Sequence, residues 1–289
     1  MILVVGSTGS LGSAVVKGLL AERRQVMALV RDLTGQRANE LKSAGARLVM
    51  GDLKSRQTLD AALKGIDTVI CTASSTLSRG QGDSIESVDQ NGIQSLIDSV
   101  EAAGTKRLVF VSFSRNILND FPLSVAKRAA EKRLESSAIN YTILLPSYFA
   151  ETWFSPAVGF DTGNGRIRVY GDGTAKVSYV GLEDVARATV ACVDNPGVLR
   201  KAIPIGGPEP LSQLDAIGLA AKATGRAMQV EFMTDEQIAA ARQGTTDSLT
   251  ASFLGLFASV ALGDAIPVGG AEMLGLHPQS MENWFARPR

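Results

Sequence analysis

Four apolar residues, Ile2 to Val5, break into Gly6-Ser7-Thr8-Gly9-Ser10-Leu11-Gly12 and then into a stretch with Leu11, Val15, Leu19 and Leu20 at helical spacing. No other feature narrows the fold as far. A short apolar run ending in glycine reads as a buried parallel strand, and the turn and amphipathic helix after it complete the opening of a βαβ unit. Each glycine has a physical task. Gly6 permits the tight turn off the strand, Gly9 lets the backbone approach a pyrophosphate, and Gly12 lets the helix pack close to the sheet. The helix N-terminus offers unpaired N–H groups and a positive dipole end, and Ser7, Thr8 and Ser10 add hydroxyl donors. A glycine trio alone is a weak signal. Between a strand and a helix it predicts a dinucleotide held along residues 6–12.

The alternation continues downstream. Strands are predicted at Gln25–Val30, Gly45–Met50, Thr68–Thr72, Arg107–Ser112 and Tyr141–Leu145. Helices are predicted between them, including a long amphipathic one at Val88–Ala103 stopped by Gly104. This rhythm predicts an α/β fold with a Rossmann-type, doubly wound parallel sheet. After Pro146 it breaks. Residues 151–178 read as loops and short strands, Leu182–Val193 as a helix and Ala202–Ile205 as a strand added to the main sheet. From Ser212 onward the chain reads as helices joined by Gly and Pro. The expected division is a nucleotide-binding domain at 1–150 with return segments near 180–206, and a smaller interleaved C-terminal substrate or partner lobe at 151–179 and 207–289.

Composition excludes several classes. The 289 residues carry a formal net charge of zero, which argues against a nucleic-acid or anionic-membrane partner. The two cysteines, Cys71 and Cys192, sit in apolar runs without metal-ligand spacing and read as buried small hydrophobes. His277, the single histidine, has no partner for a zinc site, so no metal is expected. The first strand begins without a basic leader, and a cytoplasmic, reducing setting is the expectation. Leu249–Leu262 is apolar but shorter than the ~20 residues of a membrane span, so it reads as a buried or interfacial helix.

The second strand ends Val30-Arg31-Asp32. Enzymes that use NAD usually carry an acid there for the ribose hydroxyls. Arg31 instead suits the 2′-phosphate of NADP, with Arg37 as a helper. Asp32 keeps the NAD alternative open. Gly51, Asp52 and Leu53 follow the third strand where the adenine is expected. Ala73 and Ser74 end the fourth strand at the crevice where ligands of open α/β sheets lie.

At this point a resemblance enters. The glycine turn, VRD, GDL, the block VDQNGIQSLIDSVEAAGTKRLVFVSFS and then AKRAAEKRLESSAINYTILLPSYFAE resemble the NmrA-like group of atypical short-chain dehydrogenases. GDGTAKVSYVGLEDVARATVACVDNP and IPIGGPEPLS are similar to it as well, and the resemblance runs to about residue 232. The group contains NADPH-dependent reductases of quinones and plant phenylpropanoids. It also contains members that bind the cofactor and act as redox-sensing regulators.

Short-chain dehydrogenases generally place Tyr-x-x-x-Lys on one helix face, the Tyr as acid/base. Lys127 matches the Lys, but Leu123 stands where the Tyr would be and cannot transfer a proton. Isoflavone-reductase-like members lack the Tyr too, which makes Lys127 the first candidate proton donor; its other reading is binding the nicotinamide ribose. Ser112 and Ser114 match the family's serine region and are candidates to hydrogen-bond a carbonyl oxygen or the nicotinamide. Pro146 and Phe149 lie where the family's chain passes the nicotinamide, and Tyr148 is the tyrosine placed to replace the missing hydroxyl. Trp153, Phe154 and Phe160 either line an aromatic-accepting pocket or pack as core.

The resemblance and the residues together imply an NADPH-dependent reductase of a small quinone-like, phenolic or conjugated carbonyl substrate, with a homodimer compatible. The alternative is a non-catalytic NADP(H) sensor acting through a protein partner, docked on the apolar stripe of Phe253, Leu256 and Phe257.

Overall fold

A computed structural model describes residues 1–77 and 79–287. In chain order the strands and helices are β1 (Ile2–Val5), α1 (Ser10–Ala21), β2 (Val26–Val30), α2 (Gln36–Ser43), β3 (Arg47–Met50), α3 (Arg56–Ala62) and β4 (Thr68–Cys71). A π-helical stretch, Ile85–Gly92, then runs into α4 (Ile93–Ala102), followed by β5 (Arg107–Val111), α5 (Pro122–Glu135) and β6 (Asn140–Pro146). The remainder holds α6 (Ala150–Trp153), β7 (Phe160–Asp161), β8 (Arg166–Tyr170), α7 (Leu182–Ala191), β9 (Lys201–Ile205), α8 (Gln213–Thr224) and β10 (Gln229–Met233). Four helices close the chain: α9 (Asp235–Gln243), α10 (Ser248–Leu262), α11 (Gly269–Met273) and α12 (Met281–Phe285).

The chain divides into two compact units. The first comprises 1–112, 122–144 and 186–203; the second comprises 113–121, 145–185 and 204–289. Residues 113–121 and 145–150 therefore fall in the second unit rather than in the expected 1–150 domain.

The main sheet has the order β3-β2-β1-β4-β5-β6-β9, with β1 at the reversal point. Its first six strands pair in parallel, Ile2 against Val26 on one side of β1 and against Thr68 on the other. Every residue of β1, β4 and β5 is buried, and after Thr68 in β4 and Arg107 in β5 these strands are apolar throughout. Gly104 takes φ +63° just past α4, the left-handed conformation a helix-ending glycine supplies. The long helix predicted at Val88–Ala103 begins earlier, at Ile85, and its first part is π-wound up to Gly92. There a Cβ on Gly92 would stand 2.9 Å from the Leu53 Cβ, and Asp89, fully buried, turns inward to accept from Ser75 N at 2.9 Å and Ser75 Oγ at 2.7 Å.

The second unit holds a three-stranded sheet, β10-β8-β7. β10, absent from the sequence reading, pairs in parallel with β8. Trp153, Phe154 and Phe160 pack as core here. Phe154 lies 4.7 Å from Tyr179 and 4.8 Å from Phe285 between centroids, and all three are under 10% exposed. Helix α10 turns its apolar residues onto its own unit. Phe257 stacks on Tyr170 at 3.9 Å, and Gly255 leaves room for Phe121, whose ring a Cβ there would meet at 2.2 Å. Among the described residues no helix is long and apolar enough to cross a membrane.

Candidate functional site

The turn from β1 into α1 is built as the glycine spacing requires. Gly6 has φ +82°, and a Cβ on it would lie 2.7 Å from Ala73 N. A Cβ on Gly12 would lie 2.1 Å from Gly6 O, so α1 starts in direct contact with the turn. Helix α1 has no side-chain cap and no acid in its first turn. Its leading N–H groups keep their hydrogen-bonding capacity, and its positive end is not neutralised. This cradle fits a pyrophosphate.

Nine of the predicted residues come together around one cavity of about 110 Å³: Gly6, Thr8, Gly9, Arg31, Gly51, Asp52, Leu53, Ala73 and Ser74. They arrive from the ends of β1 to β4, on both sides of the reversal point, where the fold leaves a crevice. A Cβ on Gly51 would meet Leu29 Cδ1 at 2.7 Å, so the chain after β3 lies close over the end of β2. Arg37, on α2, donates from Nη1 to Thr8 O at 2.9 Å and braces the turn. Asp32 does not line the cavity. Its carboxylate accepts from Thr34 N at 2.8 Å and Thr34 Oγ1 at 2.7 Å, and those hydrogen bonds hold its carboxyl below the usual range. The acid that kept the NAD alternative open is thus employed in a local turn.

Other predicted residues have different employment. Ser7 is fully buried and donates its hydroxyl proton to Leu29 O at 2.7 Å, so it ties β1 to β2 rather than offering that proton to a phosphate. Ser10 and Leu11 begin α1 outside the cavity lining. Ser112, the predicted catalytic hydroxyl, donates to the buried carboxylate of Glu131, which also pairs with Arg128. Ser112 N donates to Leu144 O at 2.9 Å, so both of its donors are spent inside the first unit.

Lys127 is the exception. Helix α5 buries it to 4% exposure, with Leu123 one turn earlier also buried. Its ammonium donates to Val111 O at 3.2 Å and lies 5.0 Å from the centroid of the Phe110 ring. An ammonium carries three donors. One has a protein acceptor, and the Phe110 face adds a weaker cation–π contact. Cys71 is fully buried too, and burial pushes its thiol up to about 11, against the pull of the nearby Lys127 charge. That thiol is inert as a nucleophile.

In the second unit, Ser114 serves a different centre from the one expected of it. Asp264, 1% exposed, accepts at Oδ1 from Ser114 Oγ at 2.6 Å and Asn116 Nδ2 at 2.9 Å, and at Oδ2 from Ser147 Oγ at 2.7 Å. Pro146 ends β6 and accepts from Ser114 N at 2.8 Å. Phe149 is half-buried and bridges to Val180. Tyr148 is buried edge-on against Trp153 at 4.6 Å. Burial pushes its phenol well above the ordinary value, the Asp264 charge adds to this, and Ser259 offsets it only in part. The phenol is held neutral inside an aromatic core.

Three residues of these arrangements escaped the sequence reading: Asp83, which lines the cavity, and the buried carboxylates Glu131 and Asp264. Glu131 sits in a charged helical stretch and Asp83 in a polar loop, so neither carried a signal of its own.

Comparison with known proteins places the family and the fold. A family model described as NAD(P)H-binding matches residues 6–196. The chain is 30% identical over 246 residues to an NAD(P)H azoreductase of Xenophilus azovorans, covering 84% of this chain and 81% of that protein. It is 32% identical over 225 residues to the photosystem II assembly factor Ycf39 of Synechocystis, covering 78% and 68%. Among solved structures, an NADPH-dependent quinone oxidoreductase from Escherichia coli, complexed with NADPH, superposes with a TM-score of 0.82 at 20% identity over 99% of both chains.

Proposed function

The chain belongs to the NAD(P)H-binding family, within the NmrA-like group of atypical short-chain dehydrogenases, and on that footing we propose that it is an NADPH-dependent reductase of a small quinone-like, phenolic or conjugated carbonyl acceptor. The observation that carries this is Lys127: a buried ammonium one turn after Leu123, with donors that no protein oxygen among the described residues takes up.

Gly6, Gly9 and Gly12 with the α1 N-terminus would hold the pyrophosphate, Gly51 to Leu53 the adenine side, and Arg31 the 2′-phosphate. Pro146 and Phe149 are assigned to the nicotinamide end. The bound cofactor supplies the hydride. Lys127 offers its spare N–H donors to the nicotinamide ribose and fixes the cofactor's orientation. With Leu123 in place of a phenol, no side chain on that face of α5 acts as a strong proton donor. That arrangement suits a conjugated acceptor, which spreads the arriving charge and takes its proton from solvent. A simple ketone, which needs a positioned acid, suits it poorly. Ser112, committed to Glu131, supports α5 from below rather than touching the acceptor.

A panel of quinone, azo and enone acceptors tests this. Saturable NADPH oxidation with at least one of them is expected, and slow or no turnover of simple ketones. Similarity to an assembly factor favours a second reading, a cofactor-binding protein without turnover. NADPH bound tightly but oxidised by no member of the panel would select it.

A further inference from the structure

The loop after β4 sets a buried carboxylate against two cations at the cofactor cavity. The Asp83 side chain is 3% exposed, although it lies in a polar loop. Its carboxylate pairs with Arg31 Nη1, accepts from Lys54 Nζ at 2.6 Å, and accepts from Gly80 N at 2.6 Å. Arg31 follows β2 and Lys54 follows β3, so two cations from adjacent strand ends converge on one anion. Arg31 and Asp83 both line the cofactor cavity. The Arg31 side chain stays 45% exposed while Asp83 beneath it is buried. With this contact in place the cavity measures about 110 Å³. Small-molecule and cofactor sites usually offer roughly 300–1,000 Å³.

We propose that Asp83 occupies the anion subsite that takes the cofactor's 2′-phosphate, and that Lys54 is the second cation of that subsite beside Arg31. Carboxylate and phosphate then compete for the same pair of cations. This rests on the NADP(H) reading above and deepens it. The exchange has a direction set by charge. A phosphate monoester brings about −1.5 to −2 charges and three strong acceptor oxygens, so it can replace a single carboxylate on a guanidinium and an ammonium. A ribose 2′-hydroxyl cannot, and leaves both cations on Asp83. Selectivity for the phosphorylated cofactor therefore comes from an exchange of partners, and Asp83 sets how much of the cations' attraction the phosphate has to win back.

Titration calorimetry of 2′,5′-ADP and 5′-AMP on the full chain separates the parts. Wild-type protein should bind 2′,5′-ADP more tightly than 5′-AMP. Asp83→Asn keeps the shape but removes the charge; it should tighten 2′,5′-ADP about tenfold, and Lys54→Met should weaken it about tenfold, the scale of one charged hydrogen bond. Neither change should move 5′-AMP beyond about twofold, since that nucleotide leaves the cation pair untouched. Retained 5′-AMP binding also reports that each variant is folded at the site. Preference for 2′,5′-ADP in the wild type with no gain in Asp83→Asn overturns the competition alone. Equal tightening of both nucleotides also overturns it, since it reduces Asp83 to a steric obstacle. Absence of any wild-type preference overturns the NADP(H) reading and this proposal with it.

Discussion

At Gly12 helix and turn meet with no room for a methyl group, the Gly6 carbonyl oxygen standing 2.1 Å from where a Cβ would be. Gly12→Ala must push α1 away from the turn. It should cost about 1–3 kcal/mol of stability, the scale of overpacking, and remove the stabilisation that NADPH gives the wild type in thermal melts. Lys127→Ala tests the other end of the cofactor. If the ammonium orients the ribose, NADPH affinity drops about tenfold and kcat falls with it, as loss of a charged hydrogen bond predicts. A fall in kcat with unchanged NADPH affinity would instead make Lys127 a proton donor. These residues were legible because their motifs are local: three glycines in seven positions, and a lysine four residues after a leucine. The employment of Ser7 and Ser112 was not legible, because Leu29 and Glu131, which take their protons, are distant in sequence and carry no pairing signal.

At the scale of elements, β1, β4 and β5 could be read because strands buried on both faces are nearly continuous apolar runs. Strand β10 could not. Its QVEFM has three exposed and two half-buried residues, so no buried apolar run marked it, and its polar–apolar alternation spans only four residues among predicted helices. The π-wound stretch before α4 was also hidden, since the close approach of Leu53 to Gly92 joins segments far apart in sequence. The Asp264 centre supports an element-level prediction. Its carboxylate gathers Ser114, Asn116 and Ser147 from separate segments of the second unit. Asp264→Ala strands those donors, at least two of them buried. It should destabilise the protein by about 3 kcal/mol, given ~1–3 kcal/mol per unsatisfied buried group. Asp264→Asn, which keeps one acceptor, should cost less. Chemical denaturation of the two variants measures the difference.

At the scale of the whole molecule, Asp83 links cofactor selectivity to acid stability. Burial pushes its carboxyl up, but hydrogen bonds from Lys54, Gly80 N and Arg31 outweigh this and hold it at about 2. The folded value lies below the unfolded value of about 3.9, so its contribution is complete above roughly pH 5 and is lost as pH falls towards 2. Asp83→Asn should therefore be less stable than wild type by a constant margin from about pH 5 to 7, and the margin should close near pH 2 in equilibrium unfolding. The interleaving of the two units was visible in the sequence as a broken rhythm after Pro146. The short excursion at 113–121 was not, being a loop with no periodicity of its own.

The central claim, that this chain passes hydride from NADPH to a conjugated acceptor, is tested most directly by a single turnover without oxygen. Protein loaded with one equivalent of NADPH is mixed with a small quinone, and reduced nicotinamide and hydroquinone are followed together. The account predicts loss of one NADPH for each hydroquinone formed, at a rate well above that of the protein-free mixture. NADPH that stays bound and reduced while the quinone is untouched would contradict it.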